Sequence, residues 1–379
     1  MRALMTATVP SMIGQFNMNN IHVLTKIGYE VDVACNFEDR SIWSDEKVNE
    51  FKETLKKSNI SFYQIDFERS IRKINSHKKS YYQIKNLMNE RNYTLIHTHT
   101  PISSFITRIA FKHSKIYNQS KIIYTAHGFH FFKGNNPLKN FLFWNIERYA
   151  AKYTDTLITI NKEDYEAAKK FKFKKNGTVK YVQGVGIDID KINSIQARKK
   201  ELCKEMGISN DSILLLSVGE LDDNKNHKIV IRLLPELPNN VHYIICGTGS
   251  LKEQYMQLSK ELNVENKLHL LGYRNDVIQI MKSCDIFIFP SQREGLSVSL
   301  MEAMGCGLPC IVSNIRGNVD LILHKENGYL CNLNNFKYDF FNAFKYIQNN
   351  KESIHDNNLY KAQEYDMKII LDKMKKIYL

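Results

Sequence analysis

The chain alternates short apolar, β-branched runs with segments of helical length, and this alternation is the strongest constraint on its fold. Parallel strands that are covered by helices on both faces are buried along their length, so they read as continuous apolar runs. Two series of such runs predict strands at Ala3–Val9, Val31–Cys35, Ser61–Ile65, Thr94–His97, Lys121–Thr125, Thr156–Ile160 and Val179–Val182, then at Ile213–Val218, His242–Cys246, Leu268–Leu271, Ile286–Phe289, Cys310–Val312 and Gly328–Leu330.

Two glycines separate the series, within the segment Gln183–Gly186. Because glycine tolerates the backbone angles of turns and hinges, we place a domain boundary here. The prediction is an α/β protein with two doubly wound, Rossmann-like domains, 1–184 and 185–360, and a C-terminal helix, 361–379, that packs back toward the first domain. In such sheets ligands bind beyond the carboxyl ends of the strands, here in a cleft between the domains.

The segment Phe289–Pro309 carries the most informative chemistry. It reads as a strand, a loop and a helix that starts near Ser297, whose first-turn N–H groups form an anion site. Glu294 lies at the loop tip and Glu302 on the helix, and carboxylates so placed accept hydrogen bonds from two sets of sugar hydroxyls. Two glutamates alone would more often be a cap and a solvated residue, but the surrounding pattern PSxxEGxxxxxxEAMxxGxP argues against that interpretation.

This pattern closely resembles the retaining glycosyltransferases of family 4, the glycosyl transferases group 1 type with the GT-B fold. The resemblance extends over essentially the whole chain. Its parts occur in the family's order, at Ser11–Gly14, His97–His99, Ala126–Gly128, the loop with Lys225, and the Glu294–Glu302 pair. The segment Thr125–Phe131 resembles a subgroup that builds bacterial capsule, exopolysaccharide or O-antigen repeat units.

The resemblance implies roles for the donor-side residues. Glu294 would bind hydroxyls of the donor sugar as part of the catalytic machinery, and Glu302 would bind the nucleotide ribose. Lys225 would contact the donor diphosphate, a role that suits a compact ammonium charge. The backbone amides of Leu296 and Ser297 would add to phosphate binding.

Two further donor contacts follow from the same resemblance. Arg274, in the segment Gly272–Arg274, would lie against the base, partly through its backbone. Gly14 follows the first strand, where a missing side chain lets the backbone approach a phosphate. The turn Cys246–Gly249 contains a lone GxG, which is more often a plain turn than a binding motif.

Histidines mark the carboxyl ends of the first domain's strands. By the resemblance, His127 would face the donor sugar as a catalytic residue that hydrogen-bonds a hydroxyl or positions the anomeric carbon. His97 and His99 either contact the acceptor or serve packing, and His130 is a further acceptor-side candidate.

One position departs from the family pattern. The family usually has Gly-Arg-Leu five residues before the phosphate-binding lysine, whereas this chain has Gly219-Glu220-Leu221. A carboxylate near a diphosphate is unfavourable, so we expect Glu220 to pair with a cation or to bind the acceptor. Arg293 or Lys228 would supply the missing positive charge.

No metal cofactor is expected. Asp188-Ile189-Asp190 spells DxD, a metal-binding motif in another glycosyltransferase fold, but here it precedes a helix, and Asp190 is better interpreted as an N-cap. Asp222 and Asp223 lie in a polar loop and are expected to be solvated. Lys225 and a helix N-terminus can neutralise the leaving diphosphate without metal.

The implied reaction moves a sugar from a nucleoside diphosphate, taken to be UDP with an N-acetylhexosamine or hexose, with retained anomeric configuration. The acceptor would be a lipid-diphosphate-linked saccharide. No carboxylate nucleophile is identifiable, which fits front-face departure of the diphosphate. Two alternatives stay open, namely a nucleotide-sugar 2-epimerase of the same fold and a degenerate protein that only binds sugar nucleotides.

The positive charge lies in one half of the chain. The formal net charge is +13, and residues 1–185 hold 29 Lys and Arg against 16 Asp and Glu, so that half carries the whole excess. Aromatic residues are interleaved with the cations, among them Phe129, Phe131, Phe132, Lys133, Lys139, Phe141, Phe143 and Trp144. This composition suits an anionic membrane surface, although a core helix with a solvated basic face would look similar. Nucleic acid is disfavoured because no recognition motif occurs.

The expected location is the cytoplasm, peripherally attached to the inner face of the cell membrane. The N-terminus lacks the apolar run of a signal peptide, and no stretch is long enough for a membrane span. The seven cysteines are scattered without a CxxC pair, which indicates free buried thiols in a reducing compartment.

Overall fold

Both series of predicted strands form fully parallel sheets in the computed structural model, which describes all 379 residues. The strands are β1 Arg2–Thr6, β2 Glu30–Cys35, β3 Ser61–Gln64, β4 Leu95–His99, β5 Lys121–Ala126, β6 Thr156–Thr159, β7 Thr178–Tyr181, β8 Ile213–Val218, β9 Val241–Cys246, β10 Leu268–Gly272, β11 Ile286–Phe289, β12 Cys310–Ser313 and β13 Gly328–Cys331. The first sheet has the order β3-β2-β1-β4-β5-β6-β7 and the second β10-β9-β8-β11-β12-β13. The predicted α/β, doubly wound fold class is therefore confirmed.

Sixteen α-helices connect and cover the strands. They are α1 Pro10–Phe16, α2 Met18–Lys26, α3 Asp45–Lys57, α4 Ile74–Arg91, α5 Pro101–Lys112, α6 Pro137–Ala151, α7 Lys162–Ala168, α8 Ile189–Ser194, α9 Lys199–Met206, α10 Lys228–Ile231, α11 Lys252–Glu261, α12 Val277–Ser283, α13 Val298–Gly305, α14 Asn318–Leu321, α15 Phe336–Ala362 and α16 Met367–Tyr378. None of them combines the length and the apolar character that a bilayer crossing requires.

The chain divides into two units, each built around one sheet. The first comprises Met1–Val185 and Ile370–Leu379, and the second comprises Gly186–Ile369. The first stretch of the first unit thus ends at Val185, one residue beyond the predicted domain end at 184. The chain returns to the first unit at Ile370, within α16, rather than at 361.

Burial on both faces explains why the strands read as continuous apolar runs. In β1, Ala3 and Met5 belong to one buried cluster and Leu4 to another, because successive side chains point to opposite faces. The strand order reverses between β1 and β4 in the first sheet and between β8 and β11 in the second. At such reversals the loops after neighbouring strands diverge, which opens a crevice for ligands in each unit.

The C-terminal helix α16 completes the core of the first unit. Ile370, Met374 and Tyr378 are buried at four-residue spacing in the cluster that also holds Met5 and Val33. Ile369 lies outside this buried stripe, since its side chain is 44% exposed. The helix begins at Met367 rather than at the predicted Lys361, because the preceding residues extend α15 and a short 3-10 turn.

The charged segment that follows the domain boundary forms two helices, α8 and α9. Residues 195–198 separate α8 from α9, and Ile195 has an extended backbone that ends α8. The predicted N-cap at Asp190 is wrong. Asp188 caps α8, since its carboxylate accepts the N–H of Lys191 at 2.9 Å, and Asp190 lies in the first turn of the helix.

Candidate active site

Two predicted donor residues meet at the strand reversal of the second unit. Lys225 follows β8 and Glu294 follows β11, and these two strands are neighbours in the sheet. The Nζ atom of Lys225 lies 2.7 Å from Oε1 of Glu294, and the side chains are only 20% and 12% exposed. The same Nζ lies 4.7 Å from the ring centre of Phe289, the last residue of β11. The positive charge of the ammonium and the negative charge of the carboxylate therefore neutralise each other in a crevice that is partly shielded from solvent.

Hydrogen bonds join the two loops that carry this pair. The backbone N–H of Gln292 donates to the carbonyl of Asn224 at 2.8 Å, and the Asn224 amide donates to the carbonyl of Arg293 at 3.1 Å. Asp222 accepts the N–H of Lys225 at 2.8 Å. The expectation that Asp222 is merely solvated is therefore wrong, because its carboxylate shapes the lysine loop. Asp223 is exposed and pairs with Lys228 at 3.0 Å.

The helix α13 starts where the sequence predicts. Ser297 is its N-cap and accepts the N–H of Leu300 at 3.3 Å. Leu296 and Ser297 are both buried, at 8% and 7% exposure, directly after the Glu294 loop. The first turn of α13 therefore adjoins the Lys225–Glu294 pair, and the positive end of its dipole favours an anion there.

Glu302 lies in the second turn of α13 and is largely buried. Burial raises the pKa of its carboxyl from the ordinary 4.5 to about 7, and the charge of Lys191 opposes this rise only weakly. The side chain is consequently close to half protonated at neutral pH. A ligand that donates hydrogen bonds to Glu302 would favour the ionised form and lower this pKa.

A residue that sequence reasoning missed holds the Glu294 loop in place. Arg316 follows β12, is 8% exposed, and donates from Nε to the backbone carbonyl of Glu294 at 3.1 Å. The next residue, Gly317, has a φ of +81°, and a Cβ there would lie 2.3 Å from the carbonyl oxygen of Gly295. The Arg316-Gly317 dipeptide is the only signal in the sequence, and glycine is required for this close approach.

Glu220 has no ion-pair partner. It is exposed and forms no ion pair. Lys228 pairs with Asp223 and Arg293 is exposed, and either of them as the source of the positive charge missing at the diphosphate stays a prediction. The predicted cation pair is therefore wrong, whereas an acceptor contact stays a prediction. The buried His227 holds this segment, because its Nε2 donates to the Glu220 carbonyl at 3.2 Å. Burial lowers the pKa of His227 to about 4, so it is a neutral structural group that the sequence did not reveal.

The guanidinium of Arg274 is committed to two carboxylates. It forms a forked pair with Asp276, at 2.8 Å from Nε and 2.7 Å from Nη2, and a second pair with Glu205 at 2.7 Å. These hydrogen bonds hold its pKa above the usual range. The guanidinium is thus already occupied, and the contact of this segment with a nucleotide base, partly through its backbone, stays a prediction.

Gly14 lies inside α1 rather than in a loop after β1. A Cβ on this residue would come within 2.4 Å of Cη2 of Trp43 and within 3.3 Å of Phe51. The close packing of Trp43 thus explains the glycine by itself, and a phosphate contact at this position stays a prediction.

Three predicted histidines cluster in the first unit. His99 Nδ1 lies 3.0 Å from His127 Nε2, and the rings of His97 and His99 are 4.2 Å apart. His97 bonds Tyr378 Oη at 2.9 Å and Thr125 Oγ1 at 2.8 Å, so both of its ring nitrogens are used inside the core. For His97 the packing role is the one the geometry supports.

The hydrogen-bond partners determine which ring nitrogens of His99 and His127 carry a proton. The Sδ atom of Met5 lies 3.1 Å from His99 Nε2 and can only accept, so Nε2 of His99 carries the proton. Burial lowers the pKa of His127 to about 4 and that of His99 well below its usual range, so both rings are neutral. His99 Nδ1 therefore accepts from His127 Nε2. This leaves Nδ1 of His127 as an acceptor, which suits a sugar hydroxyl.

The basic and aromatic segment divides between core and surface. Phe129 and Phe131 are buried at 1% and 7% exposure and their rings stack 4.6 Å apart, so these two side chains belong to the core and do not face a membrane. Phe143 and Trp144 are partly buried, and Phe143 contacts His130 edge-on at 5.0 Å between ring centres. Phe141, at 72% exposure, and the lysines 133 and 139 lie on the surface.

No three His, Cys, Asp or Glu side chains come together as a group that could ligate a metal ion. The carboxylate of Asp188 is used in capping α8. All seven cysteines are free, and six of them are buried.

The fold and the sequences of both units belong to a known class of enzyme. Residues 198–362 match the family Glycosyl transferases group 1, and residues 13–161 match Glycosyl transferase 4-like. The chain belongs to the group 1 glycosyltransferases, has the GT-B fold, and is an enzyme of the hexosyltransferase type. This confirms the family resemblance and removes the epimerase alternative.

Individual relatives agree with this assignment. The chain is 28% identical over 342 residues to the putative glycosyltransferase EpsD of Bacillus subtilis (strain 168), covering 88% of this chain and 84% of EpsD. It is 29% identical over 280 residues to the UDP-Gal:alpha-D-GlcNAc-diphosphoundecaprenol alpha-1,3-galactosyltransferase of Escherichia coli. This match covers 72% of this chain and 71% of the E. coli protein. The crystal structure of Anabaena HepE with UDP and glucose superposes with a TM-score of 0.77 at 19% identity, covering 100% and 99% of the two chains.

Proposed function

We propose that this enzyme transfers a hexose or N-acetylhexosamine from a UDP-sugar to a lipid-diphosphate-linked saccharide during synthesis of a bacterial surface polysaccharide such as capsule, exopolysaccharide or O-antigen. The observation that carries the proposal is the Lys225–Glu294 pair, set beside the first turn of α13. The ammonium and the helix end suit a diphosphate, and the carboxylate suits sugar hydroxyls. The E. coli relative is named for a UDP-sugar donor and a diphosphoundecaprenol acceptor, which supports both substrate classes.

The chemistry of this site favours retention of configuration. The bond between the anomeric carbon and the diphosphate breaks while the acceptor oxygen attacks from the same face, and the acceptor proton passes to the departing diphosphate. Lys225 and the N–H groups of α13 stabilise the negative charge that develops on the leaving group. Nδ1 of His127 accepts a hydrogen bond from a sugar hydroxyl and holds the ring in position.

The test is a panel of UDP-sugars incubated with a polyprenyl-diphosphate-linked sugar, read by mass spectrometry. We expect one donor to give a product heavier by one sugar, with the α linkage of a retained configuration seen by NMR. A Glu294→Ala variant serves as the inactive control. Donor binding without transfer for every acceptor would contradict the proposal and support a degenerate, binding-only protein.

Metal independence is part of the proposal, because Lys225 and the α13 terminus supply the positive charge that a cation would otherwise provide. We expect the transfer rate in excess EDTA to stay within about twofold of the untreated rate. Complete loss in EDTA, reversed by manganese but not by sodium, would refute this part.

Attachment to an anionic membrane is also proposed, through an exposed apolar stripe on α6 with cations around it. Leu138, Phe141 and Leu142 are 80%, 72% and 50% exposed, at helical spacing, and lysines 133 and 139 are exposed beside them. Apolar side chains that enter the lipid interface and cations that face anionic headgroups act together in such surfaces.

Replacing Leu138 and Phe141 with serine should weaken binding to anionic liposomes about tenfold or more, because both side chains lose their burial in the lipid interface. Co-sedimentation at low salt measures this loss. The matched control is serine at Tyr338 and Tyr360, which are 72% and 80% exposed in the second unit. Equal binding by the two double variants would show that α6 does not dock on the membrane.

A further inference from the structure

The first unit contains an apolar cavity of about 240 Å³ near the histidine cluster. It lies between α5, which begins two residues after His99, and α6, with His130, three residues after His127, at its wall. Its walls are hydrocarbon for the most part, from Pro101, Ile102, Phe105, Ile106, Phe143 and Ile146. The cavity therefore opens beside the carboxyl ends of β4 and β5, where the acceptor side of the site is expected.

The polar groups in the wall differ in how they are used. Glu147 is ion-paired with the fully buried Arg108 at 2.8 Å, so its charge is neutralised within the protein. His77 donates from Nε2 to the carbonyl of Ser70 at 3.0 Å, but its Nδ1 atom is buried without any hydrogen-bond partner. Because Nε2 carries the proton, Nδ1 of His77 is an unpaired acceptor, and since such a buried atom is costly, it marks a position where a hydrogen-bond donor of a ligand, such as a sugar hydroxyl, would be stabilised.

The rim of the cavity combines apolar and cationic side chains. Ile71, which lines the cavity, is 56% exposed, and Ile74 nearby in the chain is 73% exposed. Residues 69–79 contain Arg69, Arg72, Lys73, Lys78 and Lys79 and no acidic residue. A ligand that fits this surface has a hydrocarbon part and an adjacent group of high negative charge.

Resting on the proposed function, we propose that this cavity binds the isoprenoid segment next to the diphosphate of the lipid-linked acceptor. An apolar cavity of about 150 Å³ is large enough for benzene, so 240 Å³ accommodates roughly two branched isoprene units. The diphosphate then lies at the cationic rim, and the saccharide extends toward the histidines at the ends of β4 and β5. The enzyme therefore recognises the isoprenoid part of the acceptor as well as its saccharide.

Direct binding tests this without any need for transfer. Farnesyl diphosphate, titrated in calorimetry without membranes or detergent, should bind the wild-type enzyme at least about tenfold more tightly than inorganic diphosphate does. Ile102→Trp fills the cavity and should remove this difference. The matched control is Ile109→Trp, the same substitution on α5 at a residue outside the cavity wall, which should bind like the wild type.

Three results would overturn the proposal. The first is equal affinity for farnesyl diphosphate and inorganic diphosphate. The second is equal binding of farnesyl diphosphate by the two tryptophan variants when thermal unfolding shows that both are folded. The third is equal affinity for farnesyl diphosphate and a linear dodecyl diphosphate, which would mean a general hydrocarbon site.

A second measurement separates this proposal from the proposed function. With short water-soluble acceptors that share one sugar diphosphate, the acceptor KM should fall as isoprene units are added and level off after about two units. No transfer to any acceptor, with selective farnesyl binding intact, would refute the transfer reaction and leave the isoprenoid site standing. Transfer with a KM independent of the chain would refute the isoprenoid site alone.

Discussion

Glutamine at position 294 is expected to lower kcat/KM for sugar transfer by about 10² to 10³. The carboxylate of Glu294 would accept charge-assisted hydrogen bonds from donor hydroxyls, each worth about 1.5 to 3 kcal/mol. The substitution also leaves Lys225, only 20% exposed, without the carboxylate now 2.7 Å away. Initial rates over a range of donor concentrations would measure the loss.

The matched control for this variant is Glu352→Gln, an exposed carboxylate of the same unit without an ion pair. It should retain wild-type kinetics. If Glu294→Gln stays within about threefold of the wild type while remaining folded, Glu294 does not contact the transferred sugar, and the assignment of the donor site to this crevice fails.

Glu302→Gln is expected to stabilise the free enzyme while weakening its affinity for the nucleotide. The carboxyl pKa of Glu302 is about 7 in the folded state against 4.5 ordinarily, so between these values the folded chain binds more protons than the unfolded chain. The contribution of Glu302 to the free energy of unfolding is therefore highest below pH 4.5, falls as the pH rises to 7, and stays lower above it, by about 3 kcal/mol. The neutral amide escapes this loss.

Thermal unfolding at pH 8 should thus show a higher Tm for Glu302→Gln than for the wild type, with Glu326→Gln, an exposed control, unchanged. UDP affinity should fall about tenfold or more in the variant. In the wild type it should decline up to about tenfold per pH unit below 7, because a protonated carboxyl loses acceptor capacity toward the ribose hydroxyls. A pH-independent affinity would place the ribose elsewhere.

The fold was largely predictable from the sequence because its determinants are local. Every one of the thirteen strands overlaps a predicted one, most of them as continuous apolar runs, and the Ser297 cap marked the start of α13. The errors concern places where tertiary contacts override local pattern. Asp188 rather than the predicted Asp190 caps α8, and this short helix ends at the extended backbone of Ile195, whose carbonyl accepts a hydrogen bond from the Lys282 ammonium at 2.8 Å.

The site was predictable in part for a similar reason. Lys225, Glu294 and Glu302 stand in a recognisable pattern, and the chemistry of each is carried by its own side chain. Arg316 and His227 donate hydrogen bonds to backbone carbonyls that they meet only in the folded protein, so no sequence motif identifies these two residues. The proton order of the histidines depends on Met5, which is separated from His99 by ninety-four residues and meets it only in the folded sheet.

The location of α16 has a consequence for how the protein is made. Its residues Ile370, Met374 and Tyr378 fill the core of a sheet whose last strand ends at Tyr181, and Tyr378 bonds His97. Domains generally fold in order as they leave the ribosome. Here the core of the first unit is incomplete until almost two hundred further residues have been synthesised. The second unit can therefore fold first. The histidine cluster, which includes the His97–Tyr378 contact, then forms among the last parts of the enzyme.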